Sequence, residues 1–213
     1  ITGICKEDAE IEIVAGIDLY DGIKNDYPVF PNISVCDVAA DVIIDFSNAK
    51  AVDDLLVYSV DKQIPVVLCT TGLSEEQLKK VDGASKKVAV LKSANMSLGI
   101  NMLMELLKQA ATILAPAGFD MEIVEKHHNQ KIDAPSGTAL MIADAVSDCM
   151  AQPAEFVYDR HSQRKKRSKN EIGIHSIRGG SIVGEHEVLF AGHDETISIS
   201  HSAQSKEIFA VGA

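Results

Sequence analysis

The 213-residue chain has no tryptophan, and phenylalanine and tyrosine together supply only 5% of it. Aliphatic residues dominate instead, an ordinary composition for a soluble α/β protein. Positive charge is also scarce: 20 Lys and Arg stand against 31 Asp and Glu, for a net charge of −11. That balance argues against a nucleic-acid partner or an anionic membrane surface. It leaves room for a small anionic substrate, which needs only a local basic pocket. Cysteines number four, Cys5, Cys36, Cys69 and Cys149, widely spaced and without a CxxC pair. This argues against a disulfide framework and a zinc site, and for a reduced, cytoplasmic setting. No apolar run approaches the ~20 residues of a membrane-spanning helix, and no signal peptide is visible.

What is present first is alternation of strand and helix. Residues 12–17 read as a strand ending at Asp18, Val42–Phe46 as a second, Pro65–Cys69 as a third and Lys87–Leu91 as a fourth. Between them Ala49–Asp61 has helical spacing, and Ser74 with Gln77 three residues on predicts a capping box opening a helix through Lys80. Nearly all-apolar strands joined by helices imply a parallel sheet covered on both faces, with ligands bound beyond the carboxyl ends of the strands. The second half differs. Leu98–Leu114 is an amphipathic helix, Met121–Lys126 a strand and Thr138–Met150 a helix, followed by strands at Ile172–Ile177, Ile182–Phe190 and Thr196–Ser200. The last two alternate in polarity, as open-faced antiparallel strands do. The basic run Arg164–Arg167, within the stretch Arg160–Lys169, reads as a solvated loop because the chain around it is acidic.

The densest chemistry is Glu125-Lys126-His127-His128-Asn129-Gln130-Lys131-Ile132-Asp133-Ala134-Pro135-Ser136-Gly137-Thr138-Ala139. Two histidines and a lysine after a strand can donate protons and neutralise carboxylates. Ser136-Gly137-Thr138 then opens a helix whose unpaired first amides favour an anion, and Gly137 lets a ligand approach the backbone closely. Taken singly, adjacent loop histidines are ordinarily surface residues and Ser-Gly-Thr is ordinarily a helix cap.

The whole string resembles the signature of the dihydrodipicolinate reductase family, Glu-x-His-His-x-x-Lys-x-Asp-Ala-Pro-Ser-Gly-Thr-Ala, at every specified position. Ile44-Asp45-Phe46-Ser47, Thr70-Thr71-Gly72, the stretch from Ser93 through Asn101, and the stretch from Arg178 through His186 resemble the same family, in its order. The resemblance implies reduction of 4-hydroxy-tetrahydrodipicolinate to tetrahydrodipicolinate with NADH or NADPH. It implies a proton donor or acceptor at His127, a proton-donating or charge-stabilising Lys131, and substrate carboxylate binders at His128, Gly137 and Thr138. Cofactor contacts fall at Cys69, Thr70 and Thr71 and at Ser93, Ala94, Asn95 and Met96. Two positions depart from many members, which have Gly in place of Cys69 and Phe in place of Met96; neither removes a catalytic group. A homotetramer built through the sheet of the second domain is also implied.

Residues and resemblance together predict an α/β fold: a Rossmann-like parallel-sheet domain over residues 1–97, and a smaller α+β domain with a mainly antiparallel sheet over 98–213. Asp18 falls where such a domain places an acidic residue on the cofactor ribose, which favours NADH. Followed by Asp21-Gly22, it also reads as a plain turn residue. The glycine-rich turn should precede that residue by about 20 positions, so the first strand and glycine loop are expected upstream of Ile1 and a further helix and strand beyond Ala213. Another two-domain dehydrogenase of a small acid, or a non-catalytic dinucleotide sensor, are the rival readings; a sensor has no need of both His127 and Lys131.

Overall fold

The computed structural model describes residues 1–20 and 22–213. The turn expected at Asp21-Gly22 falls partly on Asp21, outside the described residues. Backbone contacts divide the chain into two compact units, Ile1–Ala94 with Ala213, and Asn95–Gly212.

The first unit contains α1 (Thr2–Lys6), β1 (Gly16–Ile17), β2 (Val29–Phe30), β3 (Ile43–Asp45), α2 (Val52–Lys62), β4 (Val66–Leu68), α3 (Glu75–Ser85) and β5 (Val90–Lys92). β3, β4 and β5 form a parallel ladder in that order, with Ile43 opposite Val66 and Val66 opposite Val90. The core packs Val52, Leu55 and Leu56 of α2 and Val81 and Ala84 of α3 around Val66 and Leu68 of β4. Full burial of Leu68 stabilises the unit by about 1.5–3 kcal/mol. α3 begins as its sequence predicts: Ser74 Oγ accepts from the Gln77 amide, and the Gln77 side chain accepts from the Ser74 amide.

Two expected strands are shorter or displaced. Lys87 and Val88 donate their amides to Ala84 O and so close α3; the strand starts only at Val90. In the 12–17 segment only Gly16–Ile17 finds a partner, the parallel strand β2, which apolar alternation had not marked.

The second unit contains α4 (Leu98–Leu114), β6 (Asp120–His127), α5 (Gly137–Ser147), β7 (Glu155–Val157), β8 (Glu171–Arg178), β9 (Gly184–Ala191), β10 (Thr196–Ala203) and α6 (Glu207–Gly212). The five-stranded sheet runs β10-β9-β6-β8-β7. The full-length ladders β10–β9 and β9–β6 are antiparallel, whereas β6–β8 and the short edge β8–β7 are parallel. α4 and α5 pack Ile100, Leu103, Leu107, Ile142 and Val146 onto Met121, Ile123, Ile172, Ile174, Val188 and Phe190 of the sheet.

The basic loop before β8 departs from the solvated reading. Arg167 is held by Asp120 and Glu122 at 2.9 and 3.1 Å, and it donates to the carbonyls of Met121 and Glu171. Arg160 pairs with Glu122 at 2.6 Å and with the fully buried Glu171. The buried Glu171 and the partly buried Glu122, brought together by β8 and β6, require compensating cations, and this loop supplies them. Arg164 remains exposed.

Candidate active site

β6 carries the core into the site. Side chains on a strand repeat their facing every second residue, so Met121 and Ile123 in the core are followed on the same face by Glu125 and His127. β9 does the same in the opposite direction. Phe190 and Val188 lie in the core, and His186 and Gly184 continue that face, with His186 opposite Glu125 in the register.

Glu125 has no exposed surface. Arg178 grips it as a fork, Nη1 donating to Oε2 at 2.8 Å and Nη2 to Oε1 at 2.7 Å. The Ser136 amide donates to Oε1 at 3.1 Å, and Nδ1 of His127 lies 2.6 Å from Oε2. Burial favours the neutral acid, but hydrogen bonds led by Arg178 and His127 outweigh it and hold the carboxyl at about 2. An ionised carboxylate can only accept, so Nδ1 of His127 carries the proton and Nε2 of the neutral ring presents a lone pair. That Nε2 faces Gly184, where an added Cβ would sit 3.1 Å away. Burial lowers the His127 pKa against the raising influence of Glu125.

His186 stacks edge-on against His127, with ring centroids 5.2 Å apart at 74°. Its Nε2 lies 3.1 Å from Ser136 Oγ. Burial, and then the charge of His127, lower His186 to about 4.

The loop after β6 is fastened by backbone. Gly179 N donates to His127 O at 2.9 Å, Asn129 N to Gly180 O at 3.2 Å and Lys131 N to His128 O at 3.1 Å. Lys131 Nζ lies 2.8 Å from Asp133 Oδ1, and Arg178 donates to Asp133 O at 2.7 Å. Ser136 caps α5 by accepting from the Ala139 amide at 3.1 Å. A Cβ on Gly137 would meet nothing within 4 Å, so open space lies beside the helix start. Asn95 donates through Nδ2 to Thr138 Oγ1 at 3.0 Å. A small cavity is lined by Asn95, Ile100, His127, Thr138, Gly184, His186 and His201, among others.

The structure thus brings His127, Thr138 and Asn95 around one cavity, and sets His128, Lys131 and Gly137 on the loop and helix start beside them. Met96 is buried. The remaining predicted residues belong to the first unit. Asp18 follows β1, is exposed, and accepts from the Tyr20 amide at 2.9 Å, the geometry of a turn residue. Cys69, Thr70 and Thr71 follow β4, and Ser93 and Ala94 follow β5, at the carboxyl ends of parallel strands. Thr70 donates its hydroxyl to Asp45 at 2.6 Å. Burial and then Asp45 push the Cys69 thiol up to about 11, so it stays neutral.

Sequence reasoning assigned no role to Glu125, Arg178 or His186, and to Ser136 only that of opening and capping α5, which it does. Glu125 was detectable as a carboxylate two residues before His127 on a strand whose other alternate residues are apolar. Arg178 and His186 stand at the two ends of a stretch that resembles the family, but nothing local gives their partners, which lie 53 and 50 residues away.

The family description "Dihydrodipicolinate reductase, N-terminus" matches residues 1–96, and "Dihydrodipicolinate reductase, C-terminus" matches residues 99–213. A protein of Caldanaerobacter subterraneus subsp. tengcongensis named 4-hydroxy-tetrahydrodipicolinate reductase is 53% identical over 100% of this chain and 84% of its own length. One of the same name from Clostridium novyi is 55% identical over 95% of this chain and 80% of its own. Among solved structures, the dipicolinate-bound dihydrodipicolinate reductase from Paenisporosarcina sp. TG-14 has a TM-score of 0.76 at 24% identity, covering 99% of this chain and 85% of that one. That likeness bears out the two-part α/β fold, and the matches over nearly the whole sequence place this chain in the dihydrodipicolinate reductase family.

Proposed function

We propose that His127 and Lys131 handle the proton and the developing charge, and that His128, Gly137 and Thr138 hold substrate carboxylates, in the family's reaction. That reaction is the reduction of 4-hydroxy-tetrahydrodipicolinate to tetrahydrodipicolinate, with loss of water, in lysine and diaminopimelate biosynthesis. The observation that carries the assignment is the Arg178–Glu125–His127 chain, which fixes the imidazole with Nε2 facing away from its carboxylate partner. A histidine held this way is ready to exchange a proton at one defined atom. The ammonium of Lys131 supplies a second proton or a compensating charge. Open space at the start of α5, with the helix dipole behind it, suits a carboxylate.

A pyridine nucleotide fits the first unit. The segments after β3, β4 and β5 gather at the carboxyl ends of parallel strands, and Gly72 has a φ of +73° with nothing within 4 Å of an added Cβ. When bound, the reduced nicotinamide supplies the hydride. Asp18, Cys69, Thr70, Thr71, Ser93, Ala94, Asn95 and Met96 are the residues proposed to contact it. We favour NADH, because the Asp18 carboxylate would repel a 2′-phosphate and Leu19 and Tyr20 offer no cation in its place. A cytoplasmic homotetramer completes the reading. It draws on the cysteine pattern and on β10, whose outer edge has no strand beside it among the described residues.

The test is a coupled assay of NADH oxidation by the full-length protein, with substrate generated from aspartate semialdehyde and pyruvate. Substrate-dependent oxidation, inhibited by pyridine-2,6-dicarboxylate, is expected. Absence of both would overturn the proposal.

A further inference from the structure

Asn95 is one of the few polar residues buried in the second unit, and its two side-chain atoms have different tasks. The Ser97 amide donates to Oδ1 at 2.9 Å. A backbone N–H can only donate, so this contact identifies Oδ1 and leaves Nδ2 turned toward Thr138 Oγ1, 3.0 Å away. The loop is held in place by Asn101 of α4, which donates from Nδ2 to the carbonyls of Asn95 at 3.0 Å and Ser97 at 2.8 Å. The Ser97 amide therefore sets the direction of the Asn95 side-chain amide.

This direction fixes the polarity of Thr138. A hydroxyl has one proton and two lone pairs. One lone pair of Oγ1 receives the Asn95 N–H, and the hydroxyl proton remains to be donated. Thr138 is the second residue of α5, and both it and Asn95 line the cavity that His127 lines. A carboxylate, which can only accept, is the partner that a hydroxyl committed in this way selects.

We infer that Asn95 is a positioning residue for substrate specificity: it orients the Thr138 hydroxyl as a donor to a substrate carboxylate. The inference rests on the proposal that Thr138 binds that carboxylate, and it adds a residue acting through Thr138 rather than on the substrate. It also gives Asn95 a task apart from any contact with the nicotinamide.

Asn95→Asp keeps the shape of the side chain and reverses the contact. An aspartate oxygen can only accept, so the Thr138 proton turns to it and is lost to the substrate. The added charge could also repel a dicarboxylate directly, and a double-mutant cycle separates the two effects. Pyridine-2,6-dicarboxylate is titrated calorimetrically into the full-length, NADH-saturated wild type, Asn95→Asp, Thr138→Val and the double variant. Asn95→Asp and Thr138→Val should each weaken binding about 10-fold or more, the usual value of a hydrogen bond to a charged group. In the Thr138→Val background, Asn95→Asp should add less than about 2-fold, roughly the scatter of independent sites. In steady-state assays the loss from Asn95→Asp should appear in substrate KM more than in kcat.

An equal loss in both backgrounds, or no loss from Asn95→Asp beside a real one from Thr138→Val, overturns the role of Asn95 and leaves the carboxylate site standing. Undiminished affinity in Thr138→Val overturns the carboxylate assignment itself, and the inference with it. Should Asn95→Asp not fold, Asn95→Ala repeats the cycle. It removes the donor without reversing it, and its loss must likewise vanish in the Thr138→Val background; a loss that persists there overturns the inference.

Discussion

The Nδ1 atom of His127 lies 2.6 Å from a carboxylate oxygen of Glu125, two residues earlier on the same strand and wholly shielded from solvent. The same carboxylate receives the Arg178 fork and the Ser136 amide, so one buried group ties the histidine to the start of α5. Glu125→Gln replaces the anion by a neutral amide and leaves Arg178 without a charged partner. Breaking a buried pair in this way costs about 3–5 kcal/mol. Because Glu125 raises the pKa of His127, the variant should show a lower His127 pKa by NMR titration. An unmoved His127 resonance would disprove the coupling. In the wild type, the stabilisation from ionised Glu125 is complete above the ordinary carboxylate range and is lost as pH falls toward about 2.

Negative charge left by hydride addition must meet a proton or a cation in the transition state. Lys131→Ala should lower turnover by about 10²-fold or more, the range of a positioned acid. His127→Gln should also lower it strongly while NADH affinity stays nearly intact, and His128→Gln should act on substrate affinity. Steady-state kinetics with calorimetric NADH titration separate the three. Near-normal turnover in both the Lys131 and His127 variants would refute the catalytic assignment.

His186 gives the fold an acid sensitivity of its own. Its folded pKa of about 4 lies below the ordinary 6.5, so below pH 6.5 the unfolded chain takes up the proton first. Stability contributed by the neutral ring is complete above 6.5 and declines as pH falls through 4. The shift corresponds to about 3 kcal/mol across that window. Urea unfolding of His186→Asn should show a shallower loss of stability between pH 6.5 and 4 than the wild type. A slope equal to that of the wild type would mean that other groups carry the effect.

Arg167 and Arg164 lie in the same basic run and should behave oppositely. Arg167 is mostly buried, contacts Asp120 and Glu122, and donates to two backbone carbonyls. Arg167→Ala should cost about 1–3 kcal/mol, the penalty for leaving the Met121 and Glu171 carbonyls without their donor, while Glu122 keeps Arg160. Arg164→Ala should stay within about 0.5 kcal/mol, as exposed substitutions do. Denaturant midpoints decide the matter, and equal midpoints for the two variants would contradict the ion-pair assignment.

The proposed preference for NADH rests on Asp18. The intact enzyme should use NADH at least as well as NADPH, measured as kcat/KM for each, and Asp18→Ala should narrow the difference. Lys24 is the basic residue nearest in sequence that could reverse the preference. A clear advantage for NADPH that survives raised salt would show that Asp18 does not face the ribose.

The sequence by itself determined the family, the two-part α/β plan and one helix to the residue. Leu98–Leu114 and the Ser74 capping box were legible because helical spacing and caps are local properties. The string from Glu125 to Ala139 likewise keeps His127, Lys131 and Thr138 within one loop and helix start. Tertiary structure alone decided what stands behind them. The partners of Glu125, Ser136 and Asn95 come from Arg178, His186 and Thr138, 43 to 53 residues away, and no local pattern can specify such pairs. Pairing also decided which apolar runs became strands, since Val29–Phe30 and Glu155–Val157 are too short to carry a period and exist as strands through the neighbours they found. The same holds for charge. Arg164 and Arg167 are alike in the sequence, and only the carboxylates gathered by β6 and β8 make one of them structural and leave the other in solvent.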